Sequence, residues 1–149
     1  MHELHTMKKS QKPGGLLRQL VSSNILALDA ALLIFRLATA LMALHGWSKF
    51  SDFYDGIEEW PDPLHVGPVA SKALTVFAEL FCALLVAAGL FTRAALIPLI
   101  LCMIVIVFVI HAGDPFEDRE HGLLYLLSYV ALFLTGPGKY SVDRVLRKY

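Results

Sequence analysis

Two ionised side chains interrupt apolar stretches of this chain: Arg36 within "LLIFRLATALMALHGWSKF" (32–50) and Glu79 within "VFAELFCALLVAAGLF" (76–91). An arginine fork matches a carboxylate in geometry and charge, so the two residue types suit each other as an ion pair. They also suit a small ligand. A cation beside a carbonyl oxygen favours the negative charge that reduction places there, and a carboxylate can carry the proton. Further polar groups flank them. His45 and Lys49 stand at i, i+4, His111 and Asp114 at i, i+3, and Glu120 precedes His121. His121, Tyr125, Ser128 and Thr135 recur at helical spacing on one face. Imidazoles with carboxylates are within transition-metal chemistry, which makes His45, His111, Asp114 and His121 the weak metal candidates. No HxxxH or CxxC spacing accompanies them. Neither a metal nor a haem is expected.

Where these groups sit depends on the solvent around them. The chain has 149 residues, 56% of them hydrophobic and 17% charged, with a mean hydropathy of +0.59. A soluble domain carries about a quarter charged residues, so charge is depleted here. Four apolar runs, 25–46, 68–91, 94–112 and 121–136, are each long enough to cross a bilayer, the last being the shortest. A soluble bundle would need a polar face on every helix, whereas "ALIPLILCMIVIVFVIHAG" (95–113) is apolar all round. The expected fold is all-α: an integral membrane four-helix bundle over 25–136, preceded by a cytoplasmic or interfacial segment (1–24) and followed by a basic tail (137–149). "GGLLRQLVSSN" (14–24) reads as interfacial, with Ser22, Ser23 or Asn24 able to cap the first helix. Lys8, Lys9, Lys12 and Arg18 precede the first run, but no small-residue cleavage site follows it, so no cleavable signal is expected.

Four spans put both termini and the Thr92–Arg93 turn on one side. That side holds 9 of the 13 Lys and Arg residues, which places both termini in the cytoplasm of a bacterial inner membrane. With no net charge and no nucleic-acid motif, the partners expected are the lipid bilayer, a membrane redox protein and a second copy of the chain, not nucleic acid.

Depth arithmetic then pairs the two charges. If the first helix ends near Gly46 and the second starts near Val69, Arg36 and Glu79 each lie about 10 residues, or roughly 15 Å, below the outer surface. An Arg36–Glu79 contact is therefore expected in the bundle interior, because pairing relieves the cost of charge at membrane depth. Its role is open between a pin that sets helix register and a ligand or proton site. The His121, Tyr125, Ser128 and Thr135 face is expected to turn inward, either as ordinary interhelical hydrogen bonding or as a polar column opening outward. Cys82 and Cys102 match in depth, as apolar fillers or, if they face each other, as a disulfide. Trp47, Phe50, Phe53, Tyr54 and Trp60 gather at the outer interface, as anchors or as a cap over an entrance for a flat ring such as a quinone.

Several local patterns occur in a fixed order: an arginine in the first helix, "HGWSK" (45–49), a mid-helix Glu79 before "GLFTR" (89–93), "HAGDPF" (111–116), Glu120, and "LTGPGKYSVD" (134–143). In that order and spacing the chain resembles the DoxX family of small four-helix bacterial membrane proteins, over about 28–143. The resemblance implies a component of a membrane oxidoreductase system linked to quinones. It marks Arg36, His45, Lys49, Glu79, Arg93 and Glu120 as the recurrent polar positions. The candidate ligand site is accordingly Arg36, Glu79, His45, Lys49, Glu120, His121, Tyr125 and Ser128, with quinone as the cofactor expected. The alternatives are a non-catalytic scaffold or assembly partner, and a small-solute or proton carrier. The "GPGKYSVD" segment reads as a helix stop and turn without chemistry.

Overall fold

The computed structural model describes residues 25–147, and over them the protein is helical without strands. The interfacial segment and helix cap expected at 14–24 lie outside the described residues. Among the described residues, three helices are long and apolar enough to cross a membrane: Leu28–Ser51, Pro68–Ala88 and Thr92–Ile110.

The first span is two helices in series, α1 (Ile25–Thr39) and α2 (Met42–Ser51). The Thr39 hydroxyl donates back to the Phe35 and Arg36 carbonyls at 3.1 and 3.0 Å, competing with the helix ladder. Directly after it the backbone tightens, with Ala43 N donating to Ala40 O at 2.9 Å and Leu44 N to Leu41 O at 3.0 Å. "HGWSK" therefore belongs to the helix and is not its outer end.

The second span joins α3 (Pro68–Val76) to α4 (Ala83–Ala88) through a π-helical stretch, Phe77–Cys82. Pro68 begins α3, where its missing N–H has no helical partner to lose. Gly89, at φ 68°, ends α4 in the left-handed conformation. The third span joins α5 (Thr92–Val105) to a second π-helical stretch, Ile106–Ile110. It contains Pro98, which deprives the Ala94 carbonyl of its ladder partner. A 20-residue helix, α6 (Phe116–Thr135), follows. It starts five residues before the expected run, because Pro115 leads into it and Glu117 and Asp118 suit its positive amino end. The core lies among the second span, α5 and α6, where Val86, Leu96, Leu99, Tyr129 and Leu132 are inaccessible. Gly122 lets α6 come close to the third span, since a Cβ there would lie 2.7 Å from a Val107 methyl.

The tail is tied down by polar contacts at the end of the bundle that holds the turn between α4 and α5. Ser141 caps a short helix, α7 (Val142–Leu146), and Asp143 reaches the amino end of α5. Its carboxylate accepts from Phe91 N at 2.7 Å, Thr92 N at 2.9 Å and the Thr92 hydroxyl at 2.7 Å, while Asp143 N donates to Gly89 O at 2.8 Å. Burial alone would raise the Asp143 pKa. The hydrogen bonds from Thr92 and Phe91, with the Arg147 charge, outweigh it and hold the group below its ordinary value. "GPGKYSVD" is thus a clamp as well as a turn, a role its local sequence does not disclose.

Candidate functional site

Glu79 sits in the π-helical stretch of the second span, 1% exposed. Lys49 closes on it, with Nζ 2.5 and 2.7 Å from the two carboxylate oxygens. A glycine makes the approach feasible. A Cβ on Gly46 would lie 2.5 Å from Leu80 N and 2.7 Å from the Glu79 carbonyl carbon, so the helix backbones touch there. Lys49, three residues further along α2, then stands within reach of Glu79. An ammonium has three donors, and the carboxylate engages two of them.

The expected Arg36–Glu79 contact does not form. The first span runs on to Ser51, so Arg36 lies fifteen residues before its end, whereas Glu79 lies only eleven after Pro68 at the adjoining start of the second span. With Gly46 against Leu80, Arg36 falls level with Gly89 at the far end of the second span. It is 1% exposed there, and Nη2 donates to the Tyr140 carbonyl. A Cβ on Gly89 would collide with its guanidinium. Among the described residues, Nε and Nη1 find no hydrogen-bond partner. Asp143 supplies the nearby negative charge. The two charges therefore serve different ends of the bundle.

Lys49 also lines a cavity of about 540 Å³, within the size range of small-molecule sites. Its floor and walls come from Leu74, Phe77 and Ala78 on the second span and from Pro98, Leu101 and Cys102 on the third. Trp60, Pro61, Pro63 and Leu64 roof it, and His111 stands at its rim. The two π-helical stretches bracket it, one carrying Glu79 and the other contributing Ile106 and Ile110. Such bulges occur frequently at functional sites.

The roof is held by Lys72, a residue that apolar-run reasoning passes over. Although charged, Lys72 is buried, and its Nζ donates to the Asp52 and Asp55 carbonyls at 2.7 and 3.2 Å. It also lies 5.0 Å from the centre of the Trp60 ring, with Lys49 Nζ at 6.0 Å from the same ring. Ser71 donates to Pro61 O at 2.8 Å, and Asp62 accepts from Val66 N and Gly67 N at 3.0 and 2.7 Å. The double-proline loop is thereby fixed above the cavity.

The remaining expected residues are not gathered here. His45, Glu120 and His121 are exposed. His111 Nδ1 and Asp114 pair at 2.7 Å at the surface. Among the described residues, no three His, Cys, Asp or Glu side chains are placed to share a metal ion. The polar face of α6 does not form an inward column, because His121 and Thr135 are both exposed and the Thr135 hydroxyl bonds back to Ala131 O. Tyr125 and Ser128 are half-buried. The buried polar side chain of α6 is Tyr129, one residue off that stripe, whose hydroxyl donates to Thr39 O at 3.3 Å. Cys82 is buried, Cys102 is on the cavity wall, and both are free thiols.

A family model described as DoxX matches residues 31–112, from before Arg36 through the Lys49–Glu79 pair to the end of the third span. The chain is 31% identical over 119 residues to the uncharacterized membrane protein Rv3486 of Mycobacterium tuberculosis, the match covering 63% of this chain and 73% of that one. No solved structure matches it. The chain is a membrane protein of the DoxX family.

Proposed function

We propose that the protein binds a quinone, or a similar small apolar ring, in the cavity beneath Trp60, as the ligand-binding component of a membrane oxidoreductase system. The observation that carries this reading is Lys49, which lines a mostly apolar cavity of about 540 Å³ while its ammonium is paired with the buried carboxylate of Glu79 behind the wall. A bound quinone supplies a two-electron, two-proton couple. Lys49 offers its third donor to a carbonyl oxygen and stabilises negative charge there. Glu79 holds Lys49 in place and can take up or deliver a proton at its carboxylate. Trp60 presents a flat ring at the roof. The chain has no nucleotide fingerprint and no iron–sulfur cysteine set, so electrons would come from or go to a partner protein.

The same reading places α6 across the bilayer as a fourth span, with both termini in the cytoplasm of a bacterial inner membrane, residues 1–24 before the bundle and 137–149 as its basic tail. It is supported by the length of α6, by its apolar sequence from Leu123 onward and by the Lys and Arg excess on the side of the termini. Cysteine-accessibility mapping of positions 118 and 139, at the start of α6 and beyond its end, in right-side-out and inverted vesicles tests it. Labelling of both positions from the same side would overturn the fourth span.

Quinone titration of the purified protein tests the ligand. With two tryptophans in the chain, Trp47→Phe leaves Trp60 as the reporter. Saturable quenching of Trp60, lost in Lys49→Met, is the expected result, and quenching that never saturates would sink the reading. A second reading, a scaffold whose buried charges only specify packing, is favoured for Arg36 alone, since its described partner is a backbone carbonyl of the tail. On that reading an Arg36 variant that still folds keeps full ligand affinity.

A further inference from the structure

We infer that the protein carries a second ligand site, an aromatic groove that takes a monovalent organic cation whose charge is set among apolar groups. The groove lies between the end of the first span and the second span, from the loop after Ser51 to Phe81, and is open on one side with a volume of about 680 Å³. It shares only Phe77 with the cavity beneath Trp60, so it is a separate place in the molecule and does not depend on the quinone reading. Half of its lining is aromatic, and the two charged residues among the lining, Asp52 and Asp55, are both acidic. A ring presents its negative face to a cation, and a carboxylate adds to the same attraction. Phe77 and Phe81 stand with ring centres 6.4 Å apart on a membrane-crossing helix, each about half exposed, and Phe50 joins them from α2.

Charge balance selects the guest. Among the described residues, neither Asp52 nor Asp55 takes part in an ion pair. Lys72 does not line the groove, but its Nζ lies 5.7 Å from the centre of the Phe53 ring. Set against two carboxylates, that one ammonium leaves a single negative charge unbalanced. Lys72 also occupies the Asp52 and Asp55 carbonyls, which fixes the loop and withholds those oxygens from a guest. A metal ion would exchange its water for ring faces and two carboxylates, a poor oxygen shell. A quaternary or charge-delocalised cation holds its water weakly and can touch several rings at once. The amine headgroup of a phospholipid fits less well. Its phosphate would stand beside two aspartates, with no Lys or Arg among the lining residues to receive it. The guest is therefore a lipophilic cation with no anionic group of its own.

The test uses the full chain purified in a nonionic maltoside detergent. Equilibrium dialysis of radiolabelled tetraphenylphosphonium, with empty micelles subtracted, is expected to show saturable binding of one cation per chain. Asp52→Asn with Asp55→Asn should weaken it about tenfold, as the loss of two nearby charges at a partly solvated site requires. Phe50→Leu and, independently, Phe81→Leu should each weaken it about threefold to fivefold, the contribution of one exposed ring. Two further probes need no variant. Triphenylphosphine oxide has the rings without the charge, tetramethylammonium has the charge without the rings, and each should bind about tenfold more weakly than the phosphonium. Equal affinity for the neutral oxide would overturn recognition of charge, and displacement of the phosphonium by an equal concentration of tetramethylammonium or magnesium would overturn the role of the rings. Displacement by stoichiometric phosphatidylethanolamine would overturn the free cation in favour of a lipid headgroup. Absence of saturable binding, or binding unchanged by the double aspartate substitution, would overturn the site.

Discussion

Lys49 and Glu79 meet at 2.5 Å across a helix contact that Gly46 alone makes close enough. The pair has one nearly buried member and one that is about a quarter exposed, so removing either partner leaves a charge in an apolar setting. Glu79→Ala and Lys49→Ala are each expected to destabilise the folded protein by about 3–5 kcal/mol, and Lys49→Met with Glu79→Met together by clearly less. Thermal unfolding in detergent measures this. Exchange of the charges, Lys49→Glu with Glu79→Lys, should recover part of the loss, whereas Arg36→Glu with Glu79→Arg should recover none.

Gly46 invites a sharper substitution. An alanine Cβ there would press on backbone atoms of Leu80 and Glu79, which cannot rotate away as a side chain can. Gly46→Ala is expected to cost about 1–3 kcal/mol and to draw Lys49 away from Glu79. Unfolding temperature checks the first effect. Loss of ligand-dependent Trp60 quenching in Trp47→Phe/Gly46→Ala checks the second.

Asp143 predicts a pH dependence. Its folded pKa lies below the unfolded one, so the stability it contributes is fully present above the ordinary carboxyl range and disappears as pH falls through the folded value. Wild type should therefore exceed Asp143→Ala in unfolding temperature at neutral pH, with the gap closing progressively below about pH 4. A gap that stays constant across that window would show that the hydrogen bonds act without the charge.

The two thiols differ in setting. Cys102 lines the cavity and is half-buried, while Cys82 is 2% exposed in the core. A small membrane-permeant maleimide should label Cys82→Ala protein at Cys102 many times faster than Cys102→Ala protein at Cys82, and a bound quinone should protect Cys102. Mass spectrometry of timed samples reads both rates.

Lys72 predicts the behaviour of the roof. In a Trp47→Phe background, Lys72→Met removes two hydrogen bonds to loop carbonyls and the cation facing the Trp60 ring. Acrylamide should then quench Trp60 more strongly, while the unfolding temperature changes less than in Glu79→Ala.

The helical class and the membrane-crossing runs were legible because hydrophobic length needs no knowledge of packing. The lone charges at Arg36 and Glu79 were legible as anomalies for the same reason. Their partners were not. Pairing depended on helix register, and the register turned on Gly46, a residue whose significance is the missing Cβ and appears only when Leu80 lies against it. Lys72 was hidden because its partners are backbone carbonyls of Asp52 and Asp55, which no side-chain pattern announces. Tyr129 was missed since burial on α6 is decided by where the third span lies, one residue away from the polar stripe. Asp143 was passed over because its targets, the N–H groups of Phe91 and Thr92, are 52 and 51 residues away in the chain.

Those tail contacts carry a consequence for biogenesis. Ribosomes make segments in order, and the carbonyl that receives Arg36 belongs to Tyr140, made only after all three membrane-crossing helices have been synthesised. Until then the arginine of the first helix lacks that acceptor, and the amino end of α5 lacks its Asp143 cap. Addition of Tyr140 to Asp143 is thus the event that closes this end of the bundle, and a nascent chain stalled before Tyr140 would present an open basic site to membrane quality-control proteases.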